Sequence, residues 1–254
     1  MKLTIYASDL AACAGMHRYQ QPWEAALKIF ERAAPTDFRA AFARAGLEVP
    51  ATVVNRALKG IQAGNVAEQV EEAIQGSVRE LDSKVKEIVE KADLPDTEFP
   101  DDLRTFIYTE RGKCGEKTVV DEFEKSHNVV LTERNDTFFK KMYPCDENFV
   151  ILGGRVDGLS KDGRLVEVKN RQRRFFDFVP LYEQVQVSAY IVLTGSKECE
   201  LVERYDGESR VKLVHFDEIF WEKVVAAMLT FARKMFILLK DPAKQDDLVR
   251  NRNF

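Results

Sequence analysis

Asp157, Glu167 and Lys169 are the residues whose types and spacing could do chemistry. Glu167 and Lys169 lie two apart in Arg164-Leu-Val-Glu-Val-Lys169, an alternating run that predicts a strand with both side chains on one face. The turn Ser160-Lys-Asp-Gly163 precedes it. A hairpin there would return the strand to Asp157, which follows the apolar run beginning at Phe149. Two carboxylates and an ammonium would then meet. Like carboxylates repel, and a bound divalent cation is the usual reason to gather them. The ammonium could orient or deprotonate a water, or stabilise charge developing on a phosphate. The plainer alternative is a solvated strand face after ordinary Asp-Gly turn chemistry.

A third carboxylate has a similar claim. In the segment from Arg111 to Glu124, Glu116 shares a helix face with Val119, Val120 and Phe123, while Lys117, Asp121 and Glu124 face the other way. A carboxylate on a buried face needs a partner. Glu116 is either a further metal ligand or a first-turn residue favoured by the helix dipole. Next to Lys169 comes a basic run containing Arg171, Arg173 and Arg174. From Lys161 to Arg174 there are six basic residues against two acidic ones. Such a patch beside clustered carboxylates suits a metal-dependent enzyme acting on a polyanion; a solvated loop is the alternative. Ser8 or Asp9 can cap a short helix through Cys13, and Ser8 could instead hold a phosphate at its start.

The elements that must position these residues fit in 254 residues, enough for one large domain. Hydrophobic residues make up 45% and the net charge is -4, so any nucleic-acid site must be a local basic patch. Cys13, Cys114, Cys145 and Cys199 form no C-x-x-C pair, and the three histidines are far apart in sequence. That argues against zinc, iron–sulfur and disulfide frameworks and suits a reducing, intracellular setting. No signal peptide or membrane span is expected; Arg233 and Lys234 interrupt the apolar C-terminal segment.

The fold class expected is α/β: a mixed central sheet flanked by helices, forming a single domain over 1–254 with a helical insertion at about 35–105. In the insertion, Val70, Ile74, Val78, Leu81, Val85 and Ile88 predict one long helix over about 62–92, resting on helices around Phe38–Phe42 and Val53–Leu58. A loop is expected from Leu94 to Asp102. Strands are expected around 128–133, 137–143 and 149–152, and a hairpin joins Cys199–Tyr205 to Arg210–Phe216. After Pro180, Tyr182, Val185, Ala189 and Val192 fit a helix face, with a strand the alternative for its β-branched content; a helix runs over about 217–240, and the polar tail after Pro242 should fray.

Glu116, Asp157, the Glu167-x-Lys169 pair and the helix bearing Gln184-Val-Gln186, in that order, resemble the PD-(D/E)XK nuclease superfamily. Within it they resemble the lambda-exonuclease-like branch, which includes viral recombination nucleases of the alkaline exonuclease type. Ile5-Tyr-Ala-Ser-Asp-Leu resembles that branch's N-terminal segment, whose serine contacts DNA phosphate. Arg111-Gly-Lys-Cys-Gly-Glu116 resembles its G-K-x-x-E helix. Val156 stands where the superfamily name has proline, and Asn170-Arg171 where many members have Cys-Pro.

The resemblance implies a restriction-endonuclease-like core and an Mg2+-dependent deoxyribonuclease, with Mn2+ able to substitute. It implies metal ligation by Glu116, Asp157, Glu167 and the main-chain carbonyl of Val168. Lys169 would position or activate the attacking water, and Gln184 would support it. It implies phosphate contacts from Ser8, and Arg171, Arg173 and Arg174 would add theirs. The partner implied is DNA, at double-stranded ends, in recombination or repair. A homo-oligomer or a single-strand-annealing partner is compatible with it, and no membrane is involved. An endonuclease, a nuclease that also cuts RNA, and a non-catalytic nucleic-acid-binding or assembly protein stay open as alternatives.

Overall fold

The computed structural model describes residues 1–94 and 97–254. The elements run β1 (Lys2–Tyr6), α1 (Ala7–Cys13), α2 (Pro22–Ala33), α3 (Pro35–Ala45), α4 (Val53–Ala63), α5 (Ala67–Gln75), α6 (Leu81–Ala92) and α7 (Phe99–His127). Then come β2 (Leu131–Glu133), β3 (Phe139–Cys145), β4 (Asn148–Gly154), β5 (Gly158–Ser160), β6 (Leu165–Asn170), α8 (Leu181–Thr194), β7 (Glu198–Tyr205), β8 (Glu208–His215), α9 (Glu218–Leu238) and α10 (Pro242–Asn251). The class is mixed α/β, as expected. Among the described residues no helix is long and apolar enough to cross a membrane.

The strands form two sheets rather than one. The first has order β1-β4-β3 and the second β2-β5-β6-β7-β8. The chain leaves the first sheet at Gly154 and enters the second at Gly158, so Asp157 stands at the junction. β1 pairs parallel with β4, Ile5 opposite Leu152, and buries Leu3 and Ile5. Its alternation of Leu3 and Ile5 with Lys2 and Thr4 is a strand signal that sequence reading passed over. The expected return to Asp157 is made by β5, which pairs antiparallel with β6. Its turn is closed by Ser160 N–H to the Arg164 carbonyl (3.0 Å), with Gly163 at φ +86°. β6 pairs parallel with β7 on its other side, so its backbone is held from both edges.

The main core lies between the sheets and α1, α2, α3, α8, α9 and α10. Phe38 and Phe42 of α3 pack there, so the separate helical cluster begins only at α4. That cluster gathers Ile61, Val70, Leu81, Val85 and Ile88 around Leu103 and Ile107 of α7. The single helix expected over 62–92 is instead the end of α4, then α5, then α6, and the second break lies between α5 and α6. Arg111 explains the break: its Nη1 donates to the carbonyls of Ala73 (2.7 Å), Ile74 (2.9 Å) and Gly76 (2.8 Å), satisfying the end of α5 from outside. The expected loop is shorter than 94–102, because α7 starts at Phe99 with Pro100 in its first turn; Pro95 and Asp96 lie outside the described residues.

The tail is not frayed. Asp241 caps α10 by accepting the N–H groups of Ala243 (2.9 Å) and Lys244 (3.4 Å), and Leu248 is fully buried. Leu103→Ala, in the helical cluster, should cost about 2–5 kcal/mol locally. Native-state hydrogen exchange should then quicken in α4–α6 before it does in β6 and β7. An equal rise in all of them would mean that the two cores open as one unit.

Candidate active site

Burial and charge meet at the junction of the two sheets. Asp157 Oδ2 accepts the backbone N–H of Val168 at 2.8 Å, which pins the carboxylate to the edge of β6 beyond the end of β5. In an extended strand one residue's N–H and C=O point to the same edge, so the Val168 carbonyl faces the same way. Glu167 is buried, and its Oε1 accepts from Lys169 Nζ at 2.7 Å. Its Oε2 is buried with no hydrogen-bond donor. Asp157 lies near enough for its charge to act on Glu167. Burial first, and then the charge of Asp157, push Glu167 up to about 8 despite Lys169. Burial also raises Asp157 against the opposing Val168 hydrogen bond.

Lys169 Nζ donates to Glu167 Oε1 and, at 3.0 Å, to Gln186 Oε1. An ammonium has three N–H groups, so one is left over. Burial alone would lower Lys169, but Glu167, with Asp157 and Glu183 behind it, outweighs burial and the amine is raised. Gln186 Nε2 donates in turn to the Tyr190 hydroxyl at 3.1 Å. Gln184, expected in this role, is turned away: its Nε2 donates to the Val179 carbonyl at 2.7 Å. Two residues on a helix differ by more than half a turn, so only one of the pair can face β6. The one that does is Gln186.

Glu116 is not in a first turn. It stands well inside the 29-residue α7, so the helix dipole does not account for it. It lines a cleft of about 490 Å³ with Asp157, Lys113, Lys117, Arg134 and Asn135. Burial and Asp157 push it up to about 7 against the pull of Lys169 and Lys113. Gly115 lets α7 come close over the end of β6. Asn170 Nδ2 donates to the Gly112 carbonyl at 2.8 Å, and a Cβ on Gly115 would stand 2.9 Å from that same nitrogen.

Ser8 is exposed and lines an adjoining cleft of about 270 Å³ with Arg155, Asn135 and Tyr190. The helix cap expected of Ser8 or Asp9 falls to Tyr6 instead, without a side-chain bond. Arg155, Asn135 and Tyr190 were missed in the sequence. The spacing of Tyr182, Gln186 and Tyr190, four apart on α8, was the available signal.

Arg171 does not face the cleft. Its Nη1 and Nη2 grip Glu183 at 2.5 and 2.7 Å, its Nε reaches Glu203 at 2.5 Å, and Lys212 closes the group on Glu203 at 2.5 Å. Two buried carboxylates outcompete a solvent-borne phosphate for this guanidinium, so the expected phosphate role is withdrawn for Arg171. Arg173 and Arg174 are exposed.

No protein-family model matches the chain, and no curated protein matches it. Solved structures are similar. An alkaline exonuclease (LHK-Exo) from Laribacter hongkongensis is 12% identical, over 70% of this chain and 91% of its own, with a TM-score of 0.42. LHK-Exo in complex with dAMP gives 12% identity over 71% and 92%, at 0.39. SSO0001 gives 10% over 81% and 86%, at 0.41. The chemistry open to this site follows from its own residues.

Among the described residues no group of three or more His, Cys, Asp or Glu side chains is placed to hold a metal ion. Mg2+ does not require one: it keeps several waters and is held by one or two carboxylates. A buried, donorless Glu167 oxygen beside a second carboxylate is the arrangement a cation would relieve. The donors present are all oxygens, which fits Mg2+ or Mn2+.

Arg171→Ala would leave Glu183 and part of Glu203 buried without a partner. It should lose about 3 kcal/mol in urea unfolding. Arg173→Ala and Arg174→Ala should stay within about 0.5 kcal/mol of the parent. Equal midpoints for all three variants would contradict the structural role of Arg171.

Proposed function

We propose that the chain is a metal-dependent nuclease that hydrolyses DNA phosphodiester bonds, working from duplex ends in recombination or repair. The observation that carries the hydrolytic reading is the Asp157–Glu167–Lys169–Gln186 constellation, with Glu116 across the cleft. Its support for end-directed action is the resemblance of the motifs alone.

Asp157, Glu167 and the Val168 carbonyl would hold a divalent cation, with Glu116 placed to help hold a second. When bound, such a cation lowers the pKa of its water and neutralises charge on the phosphoryl oxygens. The chain's own residues do the rest. Val168 N–H fixes Asp157, so this carboxylate needs little reorganisation on binding. Gln186, itself braced by Tyr190, holds the Lys169 ammonium in place. The remaining N–H of Lys169 is free to orient the attacking water or to meet the phosphate. Lys113 and Lys117 at the rim would draw the polyanion in, as would Arg173 and Arg174 from outside. Ser8 and Arg155 would contact backbone phosphates from the adjoining cleft.

The experiment is digestion of linear and circular DNA, each with and without Mg2+. Loss of the linear form alone, only with metal, is the expected result. Cutting of circles would make it an endonuclease, and digestion of RNA would widen its substrate. No cutting of any form in Mg2+ or Mn2+ would return it to a binding protein. Asp157→Ala should abolish cleavage while leaving DNA binding largely intact.

Lys169→Met should fold and bind metal, yet lose about a hundredfold or more in single-turnover cleavage at saturating Mg2+. Full rescue by excess metal would reduce Lys169 to a neutraliser of Glu167. Gln186→Ala should lower turnover and Gln184→Ala should leave it near the parent's; the reverse order would undo the exchange of roles between them.

A further inference from the structure

A third cleft, of about 440 Å³, lies between the loop bearing His17, Arg18 and Tyr19 and the segment bearing Arg174, Phe178 and Tyr182. Its rings are presented rather than packed away: Tyr19 is 69% exposed and Phe178 72%. The loop is nonetheless ordered from within. His17 Nδ1 accepts the backbone N–H groups of Tyr19 (3.1 Å) and Gln20 (2.9 Å), which fixes the ring and the loop together. The imidazole lies 4.8 Å from the Tyr182 ring, and Tyr19 stands edge-on to Tyr182 at 6.2 Å. Arg18 lies over the Tyr19 ring at 5.5 Å. Among the described residues lining the cleft, Asp177 alone is acidic, against Arg18 and Arg174. Rings open to solvent with guanidinium groups around them match a ligand that combines flat apolar faces with negative charge.

We propose that this cleft stacks unpaired nucleotides of a nucleic-acid strand. Bases in a duplex have their faces covered by their neighbours, so only an unpaired stretch offers them to Tyr19 and Phe178. The cleft is joined to the candidate active site by one face of α8. Tyr182, Gln186 and Tyr190 follow each other at four-residue steps, about 6 Å of helix each. Gln186 holds Lys169, and Tyr182 lines the cleft. A strand whose phosphate met Lys169 would therefore reach these rings with its adjacent nucleotides. The proposal rests on the nuclease reading for that placement, but not for the binding itself.

The test is fluorescence anisotropy in EDTA, which removes cleavage from the measurement. A labelled oligothymidylate is compared with an abasic strand of equal length, which keeps the phosphates and loses the bases. The parent protein should prefer the thymidine strand about tenfold, on the scale of one stacked base. Tyr19→Ala with Phe178→Ala should erase that preference while leaving abasic binding unchanged. Tyr19→Phe with Phe178→Tyr keeps the rings and should keep the preference, which separates stacking from damage to the loop. Equal affinity of the parent for both strands, or an alanine variant that still prefers thymidine, would overturn the proposal. A parent that cuts DNA but shows no base preference loses this site and keeps the nuclease reading. A parent that shows the preference but cuts nothing keeps the site and loses that reading.

Discussion

Asp157, half-buried at the cleft, and the buried Glu167 repel each other, and much of the structure serves to keep them together. Asp157 is held by a main-chain N–H, Glu167 by an ammonium, and the ammonium by a glutamine. None of these restraints would survive a loose strand. β6 is therefore paired on both edges, and Val166 and Val168 pack beneath α7 with Val119, Val120 and Phe123. Further out, the Arg171 group ties the end of β6 to α8 through Glu183 and to β7 and β8 through Glu203 and Lys212. The frame is bought with buried charge of its own, since four ionised groups share that small volume. Each is paired, which is the condition for tolerating them.

The α/β class was legible in the sequence, and so was part of the juxtaposition of its polar side chains. Asp157, Glu167 and Lys169 were readable because strand alternation and one turn fix their relation locally. Glu116 was readable because its helix face could be counted from three apolar neighbours. What failed depended on contacts distant in sequence. Arg171 was read as part of a basic run, and nothing in Asn170-Arg-Gln-Arg-Arg says that Glu183 and Glu203 lie folded against the first arginine but not the others. Gln184 and Gln186 are both amides in one helix, and only the docking of α8 against β6 separates them. The break between α5 and α6 was hidden for the same reason, since its cause, Arg111, belongs to another helix. The strand β1 and the cap of α10 are different. Their signals were local and present, in the alternation around Ile5 and in Asp241-Pro242.

α7 has a consequence of another kind. Its 29 residues extend about 44 Å, with the N-terminal half inside the helical cluster and the C-terminal half lying on β6. Glu116 belongs to the second half, Leu103 and Ile107 to the first. A border near residue 105, natural from the sequence, cuts this helix between them. Trimming the chain there would leave the carboxylate a few turns from a raw helix end, with unsatisfied N–H groups and a frayed start in place of a continuous rod. The helical cluster is thus not a removable module. Shortening or exchanging it would disturb the helix that carries Glu116.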